Sequence, residues 1–473
     1  MIGTAVGERV VISALGGLAL FGAVAHALLP TDTAVPAFAL PVAIAVAGAA
    51  AARMHFPPPA AAPAAPRWLP WLVLALLAVL TGAVAYGALA TPSRHWDGAA
   101  AWDVRASALT AAATLAQPFF ADPVVLSPAR DYPLLQPLAI AAGNTVLGSG
   151  AGRALFPVLF VALVLLVGTT VRRCATPTLA WLAAAAVACT PMLVKPGGGS
   201  ADSGYGDTFL LVCTTAIAAG FVRRDARFTF VGAVLAVLVK PEGLLHAALA
   251  TAAAAILGER AAARGAALGL VLAAALWLPL QQRLVGADPA AALPVLGALA
   301  GMCGALLAFD TIARRRTWSR RRRVAAGAVL AAFAVVAAFA VLPSTGGTFR
   351  AYLGSAERAG QQIDRVPAIV WGFVNYGLLR GDFGLVFWFV ALATATAARR
   401  RALAASAPLL AFVAGGFTIA GAAFVLSPEA DVDHHLKSSL PRLLLHWLGP
   451  ALLLGCAAFA AISDRPRTDA AAP

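Results

Sequence analysis

The residues best able to do chemistry lie between Arg94 and Pro137, where RHWDGAAAWDVRA and RDYPLLQP sit among long apolar runs. That stretch holds four Asp (Asp97, Asp103, Asp122, Asp131), three Arg and two Trp, in a chain that is 61% hydrophobic and 12% charged. Asp97 stands between Trp96 and Trp102, a setting that strips water from a carboxylate and suits it to act as a general base. The competing reading is an exposed loop Asp or a helix N-cap. Asp103 and Arg105 can form a simple ion pair. Asp131-Tyr132-Pro133 has the composition of a turn that opens the next apolar stretch.

Other candidates are scattered along the chain. Lys195 and Lys240 each occur as Val-Lys-Pro and are two of only three Lys. At matching helix ends they suit an anionic group such as phosphate; snorkelling from a helix terminus is the alternative. Glu242 follows Lys240 by two residues, either neutralising it or working beside it at the mouth of short helices. The segment GGGSADSGYGD (197–207) joins a Gly-rich loop to Asp202, Tyr205 and Asp207, without the Walker pattern of a nucleotide site. Arg442 and His446 are four apart and share a helical face. An Arg turned into a bundle there needs an anion, and an interfacial anchor is the alternative. Asp431, Asp433, His434 and His435 are weak metal candidates, because adjacent His more often cap a loop; no metal is expected.

The elements that must position these residues follow from composition. Apolar runs of roughly 18–22 residues recur throughout, each able to cross ~30 Å of hydrocarbon as a helix. Lipid offers the backbone no hydrogen-bond partner, so the runs must be helices, and the short alternating segments of a porin are missing. The predicted fold is an all-α polytopic membrane protein of about 11–14 transmembrane helices, one integral membrane domain over 1–473. The predicted spans are 10–29, 35–52, 69–90, 153–171, 176–194, 206–222, 227–240, 243–257, 265–283, 291–310, 324–343, 383–398, 403–426 and 441–462. Segments 227–240 and 243–257 are short and read as part-height helices meeting at a polar vestibule. The N-terminal run loosely resembles a signal peptide, but reading it as the first span makes the later topology agree.

Charge sets the orientation. The net +14 is not spread as a nucleic-acid footprint: Arg clusters occupy short gaps between runs, as in cytoplasmic loops. Seven Arg between Arg314 and Arg323 add a polybasic contact for anionic headgroups. The Pro-rich segment 55–67 reads as a cytoplasmic linker. The external elements are then 91–152, 195–205, 344–382 and 427–440. Within the first, Trp102, Arg105, Ala106 and Leu109 recur at helical spacing and predict an amphipathic helix along the interface. Five Cys fall in or beside apolar runs with no CxxC, which argues against disulfides and Cys-zinc sites.

In this order, the motifs resemble the GT-C superfamily of membrane glycosyltransferases, which includes dolichyl-phosphate-mannose protein mannosyltransferases and bacterial aminoarabinose transferases. HWDGAAAWDVRA opens the first large loop, DYPLLQPL follows in it, and ADSGYGDTFLLV precedes a span. A Lys-Pro-Glu-Gly turn and the Arg/His pair of the terminal span complete the likeness, which covers 69–450. It implies inverting transfer of a sugar from a polyprenyl-phosphate donor to a lipid, glycan or protein acceptor. The implied setting is the bacterial cytoplasmic membrane and its lipids, with the site facing the periplasm or exterior. No cofactor is required, although a divalent metal is compatible. The family's base falls on Asp97, with Asp103 and Asp131 as further acids, because the acidic pair of relatives is here Asp97-Gly98. Arg105, Lys240, Arg442 and Lys195 are the implied phosphate ligands. Trp102, Tyr132, Asp202, Tyr205, Asp207, Glu242 and His446 are the implied substrate contacts. The rival reading is a multi-pass transporter or lipid flippase with Lys240, Glu242 and Asp207 along its pathway. That reading predicts inverted repeats, and the sequence has none of clear period. Lys scarcity against abundant Ala and Arg suggests a high-GC bacterial genome and undecaprenyl or decaprenyl carriers.

Overall fold

A computed structural model describes residues 5–56, 63–93, 95–122, 131–327, 329 and 362–463, and the regular elements among them are helices without a strand. The chain is an all-α polytopic membrane protein. Among the described residues seven helices are long and apolar enough to cross a bilayer, or eight if a bent C-terminal pair forms one span. Six more apolar helices run to 10–17 residues. The expected 11–14 spans therefore require some of these shorter helices to count. Most of the predicted span 324–343, and residues 344–361 of the loop 344–382, lie outside the described residues.

Helices α1 (Ala5–Leu28), α2 (Ala39–Arg53) and α3 (Trp68–Ala90) precede the first long loop. That loop carries a π-helical turn (Asp97–Asp103), α4 (Val104–Ala112), α5 (Pro118–Ala121) and α6 (Leu135–Leu147). Next come α7 (Leu155–Cys174), α8 (Pro177–Ala188), α9 (Pro191–Val194), α10 (Gly206–Arg223), α11 (Ala226–Val239), α12 (Glu242–Leu257), α13 (Arg260–Leu284) and α14 (Leu293–Arg315). The C-terminal part contains α15 (Val366–Val374), α16 (Val386–Arg399), α17 (Ala407–Val425), α18 (Val432–Leu445) and α19 (Leu448–Ser463).

The bundle is built around α10, whose apolar window is 89% buried and which packs on α7, α11 and α19. Helix α11 lies in turn on α13 and α1. Close approach of α11 and α13 rests on Gly265 and Gly269, four residues apart on one face. A Cβ at Gly265 would stand 2.3 Å from Ala226 O, and one at Gly269 would stand 2.6 Å from Phe230 O. Small residues at this spacing let two backbones meet where lipid gives no hydrophobic drive for association. The far end of the bundle, away from Asp207, is tied by Glu8 on α1. Its fully buried carboxylate accepts from Arg173 Nε at 2.6 Å and from Arg223 NH1 at 2.7 Å, joining α1 to the ends of α7 and α10.

Three departures from the predicted spans have local causes. Span 176–194 breaks after Ala188, because Pro191 cannot continue the helical ladder and starts α9 instead. The final span begins early, at Val432, and bends by 52° between α18 and α19. Part of the predicted loop 427–440 is thus helix: Asp431 caps α18 by accepting from His434 N at 2.9 Å, and Leu436, Leu440 and Leu444 form its buried stripe. The third departure concerns α4. Its expected interfacial stripe is turned inward, with Trp102 and Arg105 each 2% exposed and the helix packed on α6. The Tyr132 carbonyl, 3.4 Å from Arg105 NH1, gives the guanidinium an internal partner, so it has no need of headgroups. Helices α11 and α12 have 14 and 16 residues and meet at Lys240-Pro241. At 1.5 Å per residue, α11 rises only about 21 Å, well short of the ~30 Å hydrocarbon core.

Replacing Gly269 by Leu is expected to destabilise the protein by about 2 kcal/mol through overpacking. The control is Gly297→Leu on α14, where nothing lies within 4 Å of the added Cβ. Thermal unfolding in detergent measures both, and equal midpoints would remove the close α11–α13 contact from the account.

Candidate active site

The start of α10 is fixed by the loop before it. Ser200 Oγ donates to Asp202 Oδ1 at 2.6 Å, Gln136 Nε2 donates to Gly204 O at 2.7 Å, and Arg153 NH2 donates to Asp202 O at 3.2 Å. Two glycines are sterically required. A side chain at Gly206 would meet Trp102 at 2.9 Å and the Lys240 stem at 3.2 Å, and one at Gly98 would meet Ser203 O at 2.3 Å. Gly98, the residue after Asp97, is what lets the π-helical turn lie against segment 203–204. The wide turn brings Asp97, Ala101 and Trp102 to one pocket, and single π turns of this kind recur at functional sites.

Asp207, in the first turn of α10 and 1% exposed, holds the assembly together. Its Oδ1 accepts from Lys240 Nζ at 2.8 Å and from His446 Nε2 at 2.8 Å, while Oδ2 accepts from Arg442 Nε at 2.8 Å. A carboxylate only accepts, so His446 carries its proton on Nε2, and its buried Nδ1 has no partner among the described residues. Arg442 continues outward, with NH1 2.8 Å from Asp97 Oδ2 and its guanidinium over the Tyr205 ring at 4.4 Å. Lys240 Nζ also lies 3.4 Å from Glu242 Oε1. Arg442 thus spans two carboxylates, one deep and fixed, one at the pocket wall.

The pocket has a volume of about 50 Å³ and is lined by Trp96, Asp97, Ala101, Trp102, Tyr132, Lys240 and Arg442. It therefore combines one carboxylate, two cations and an aromatic wall. Trp102 and Tyr132 pack at 5.7 Å between ring centres, and Trp96 is 71% exposed at the mouth. Burial raises the Tyr132 hydroxyl above its ordinary range, and the charge of Glu242 adds to the effect. Burial also raises Tyr205, with Asp97 adding to it.

Of the residues singled out from sequence, Asp97, Trp102, Tyr132, Lys240 and Arg442 line the pocket, and Asp207, Tyr205, Glu242 and His446 stand directly behind it. The others lie elsewhere. Asp103 faces Arg153 at 3.8 Å; burial raises its carboxyl, opposed by Arg153 and by a hydrogen bond from Ser93. Arg105 is buried under the loop, and burial pulls its guanidinium down to about 10 against the opposing charge of Asp131. Asp131 is itself buried, and Asp202 braces the 195–205 loop. Lys195 is exposed. Among the described residues no three metal-ligating groups converge. Asp431 caps α18, and His435 Nδ1 pairs with Ser427 Oγ at 2.9 Å.

Sequence reasoning missed two supports. Arg153 braces the 91–103 and 195–205 loops, donating from NH1 to Thr91 O at 2.7 Å. His246 is buried with its ring 5.9 Å from that of His446 and 4.8 Å from Trp447. Its place one turn after Glu242 on α12 was the available signal. In comparisons with known proteins, no family profile, no curated protein and no solved structure matches the chain.

Asp207→Ala leaves two cations and an imidazole facing each other in a dry site, and is expected to destabilise the protein by about 3 kcal/mol or more. Asp207→Asn keeps the shape and should lose less. Unfolding midpoints of the purified variants test this, and wild-type stability in the Ala variant would show that the network is not the clamp described.

Proposed function

We propose that this chain is a GT-C-type glycosyltransferase, moving a sugar from a polyprenyl-phosphate donor to a hydroxyl of a lipid, glycan or protein acceptor. The observation that carries the reading is one carboxylate, Asp97, set against two cations, Lys240 and Arg442, across an aromatic pocket at the helix ends. Inverting transfer needs those groups. Asp97 takes the proton from the acceptor hydroxyl as its oxygen bonds to the anomeric carbon. The bond from that carbon to the phosphate oxygen breaks with its electron pair, and polyprenyl phosphate leaves. Arg442 and Lys240 stabilise the charge that develops on the phosphate. Trp96, Trp102 and Tyr132 offer faces for the sugar ring.

Two further features support the assignment. Helix α3 ends at Ala90, just before the pocket, and most of its length is not buried against the bundle. An isoprenoid tail can therefore lie along α3 while the headgroup reaches the site. The bridging of Arg442 also gives the donor a way to free the base: a phosphate taking NH1 releases Asp97, while Nε stays with Asp207. By this reading the site faces the periplasm or exterior of a bacterial cytoplasmic membrane, opposite the Arg clusters. A transporter or flippase is the second reading, favoured by the bent α18–α19 pair and by a buried Lys240–Asp207 pair where short helices meet.

Incubating the purified protein with radiolabelled undecaprenyl-phosphate sugars (mannose, arabinose, galactose, glucose) and a membrane extract as acceptor separates the two. Transfer is expected for one sugar, and translocation of the donor without transfer would support the second reading. Asp97→Asn should lower turnover by about 10³-fold, within the span of general-base catalysis, and Asp103→Asn should not. Loss of turnover in the second variant alone would move the base to Asp103.

The Asp97→Asn variant should also bind donor about two- to fivefold more tightly. A half-exposed ion pair worth up to ~1 kcal/mol no longer competes for Arg442. Donor binding by scintillation proximity checks this, and weaker binding in the variant would show that Asp97 helps to hold the donor.

A further inference from the structure

A second pocket lined by cationic side chains lies at the far end of the bundle, where α10 and α12 finish and α17 begins. A groove of about 400 Å³ there is lined by Arg224, Arg320, Arg323 and Trp318 together with Ile256, Leu257 and Pro408. We propose that this groove binds the headgroup of an anionic membrane phospholipid, and does so independently of any transfer activity.

Charge is the first argument. The segment from Asp310 to Arg323 carries seven Arg and one Asp. Asp310 is 2% exposed and already occupied by Arg314 Nε at 3.0 Å and Arg323 NH2 at 2.5 Å. Glu259 is the other acid at the rim, 3.8 Å from Arg224. Arg320 is exposed and makes no hydrogen bond or ion pair among the described residues. The balance is cationic, and guanidinium groups grip phosphate through paired N–H donors.

The apolar part of the lining is the second argument. Ile256, Leu257 and Pro408 belong to the ends of bundle helices, so the lining of the groove combines guanidinium groups with aliphatic side chains. A free phosphate has no use for those aliphatic side chains. A phospholipid does: its phosphate meets the Arg while the glycerol and first methylenes meet the apolar side chains. Trp318, half-buried and edge-on to Phe309 at 6.0 Å, has the amphipathic ring suited to headgroup depth. Arg323 donates to the Ala255 carbonyl as well as to Asp310, so its guanidinium is fixed where it lines the groove.

The test uses the delipidated full chain, in detergent and in nanodiscs, with native mass spectrometry counting the lipid retained. Phosphatidylglycerol is the probe, phosphatidylcholine the neutral comparison and inorganic phosphate the soluble competitor. The wild type is expected to retain phosphatidylglycerol about tenfold better than phosphatidylcholine, with a preference that weakens in high salt. The Arg224→Gln/Arg320→Gln double variant should lose the preference, and the exposed Arg320→Glu variant, which leaves the Asp310 cluster intact, should reduce it. Equal retention of both lipids by the wild type overturns the proposal. So does full preference in a correctly folded double variant, as judged by its unfolding midpoint. Displacement of lipid by inorganic phosphate at similar concentration would make this a soluble-anion site and also overturns it.

Discussion

A single carboxylate with three partners governs the geometry of this molecule. Asp207 is removed from water at the tip of the most buried helix, where an unpaired charge is not tolerated. Its partners come from the α11–α12 junction and from the end of α18, elements that no short loop connects. The position of α18, the bend before α19 and the depth at which α11 stops are therefore correlated, since each must deliver its cation to the same two oxygens. The pocket wall is the outer layer of that arrangement: Lys240 and Arg442 face the pocket because Asp207 holds them from behind.

Irregular backbone surrounds this centre, and its placement follows from the same demand. Helices α11 and α12 are short and break at Lys240-Pro241, which sets Lys240 against Asp207. The π turn widens α4's approach so that Asp97 and Trp102 share a wall, and Gly98 and Gly206 give up side chains so that three segments can touch. Regular full-length helices would satisfy every backbone group in lipid, yet they would leave no concave surface at their ends. Departures from regularity cluster at the candidate site because that is where side chains and loops, instead of lipid, surround the backbone.

Much of this was legible in the chain. Helix positions follow from apolar length, and scarcity of charge made Asp97, Lys240 and Arg442 conspicuous. What stayed hidden was direction. Arg105 lies in a stripe that reads equally well facing lipid headgroups or facing protein, and only the apolar surface of α6 with the Tyr132 carbonyl decides between them. Lys195 and Lys240 share the same Val-Lys-Pro context, but the first is followed by three glycines and runs into a loop, whereas the second is caught between helices that hold it against Asp207. The rank of Asp207 among several acids depends on partners 33, 235 and 239 residues away, a relation no local pattern encodes.

Those separations bear on how the protein is made. Glu8 precedes its partners Arg173 and Arg223 by 165 and 215 residues, and Asp207 precedes Arg442 and His446 by 235 and 239. Glu8 on the first helix thus has both of its cations only once α10 is present, and the pocket has its full lining only once α18 is. A chain ending before α18 would keep Lys240 for Asp207 but lack Arg442 and His446, so two of the three partners of Asp207 and the Arg442 wall of the pocket depend on that one late helix.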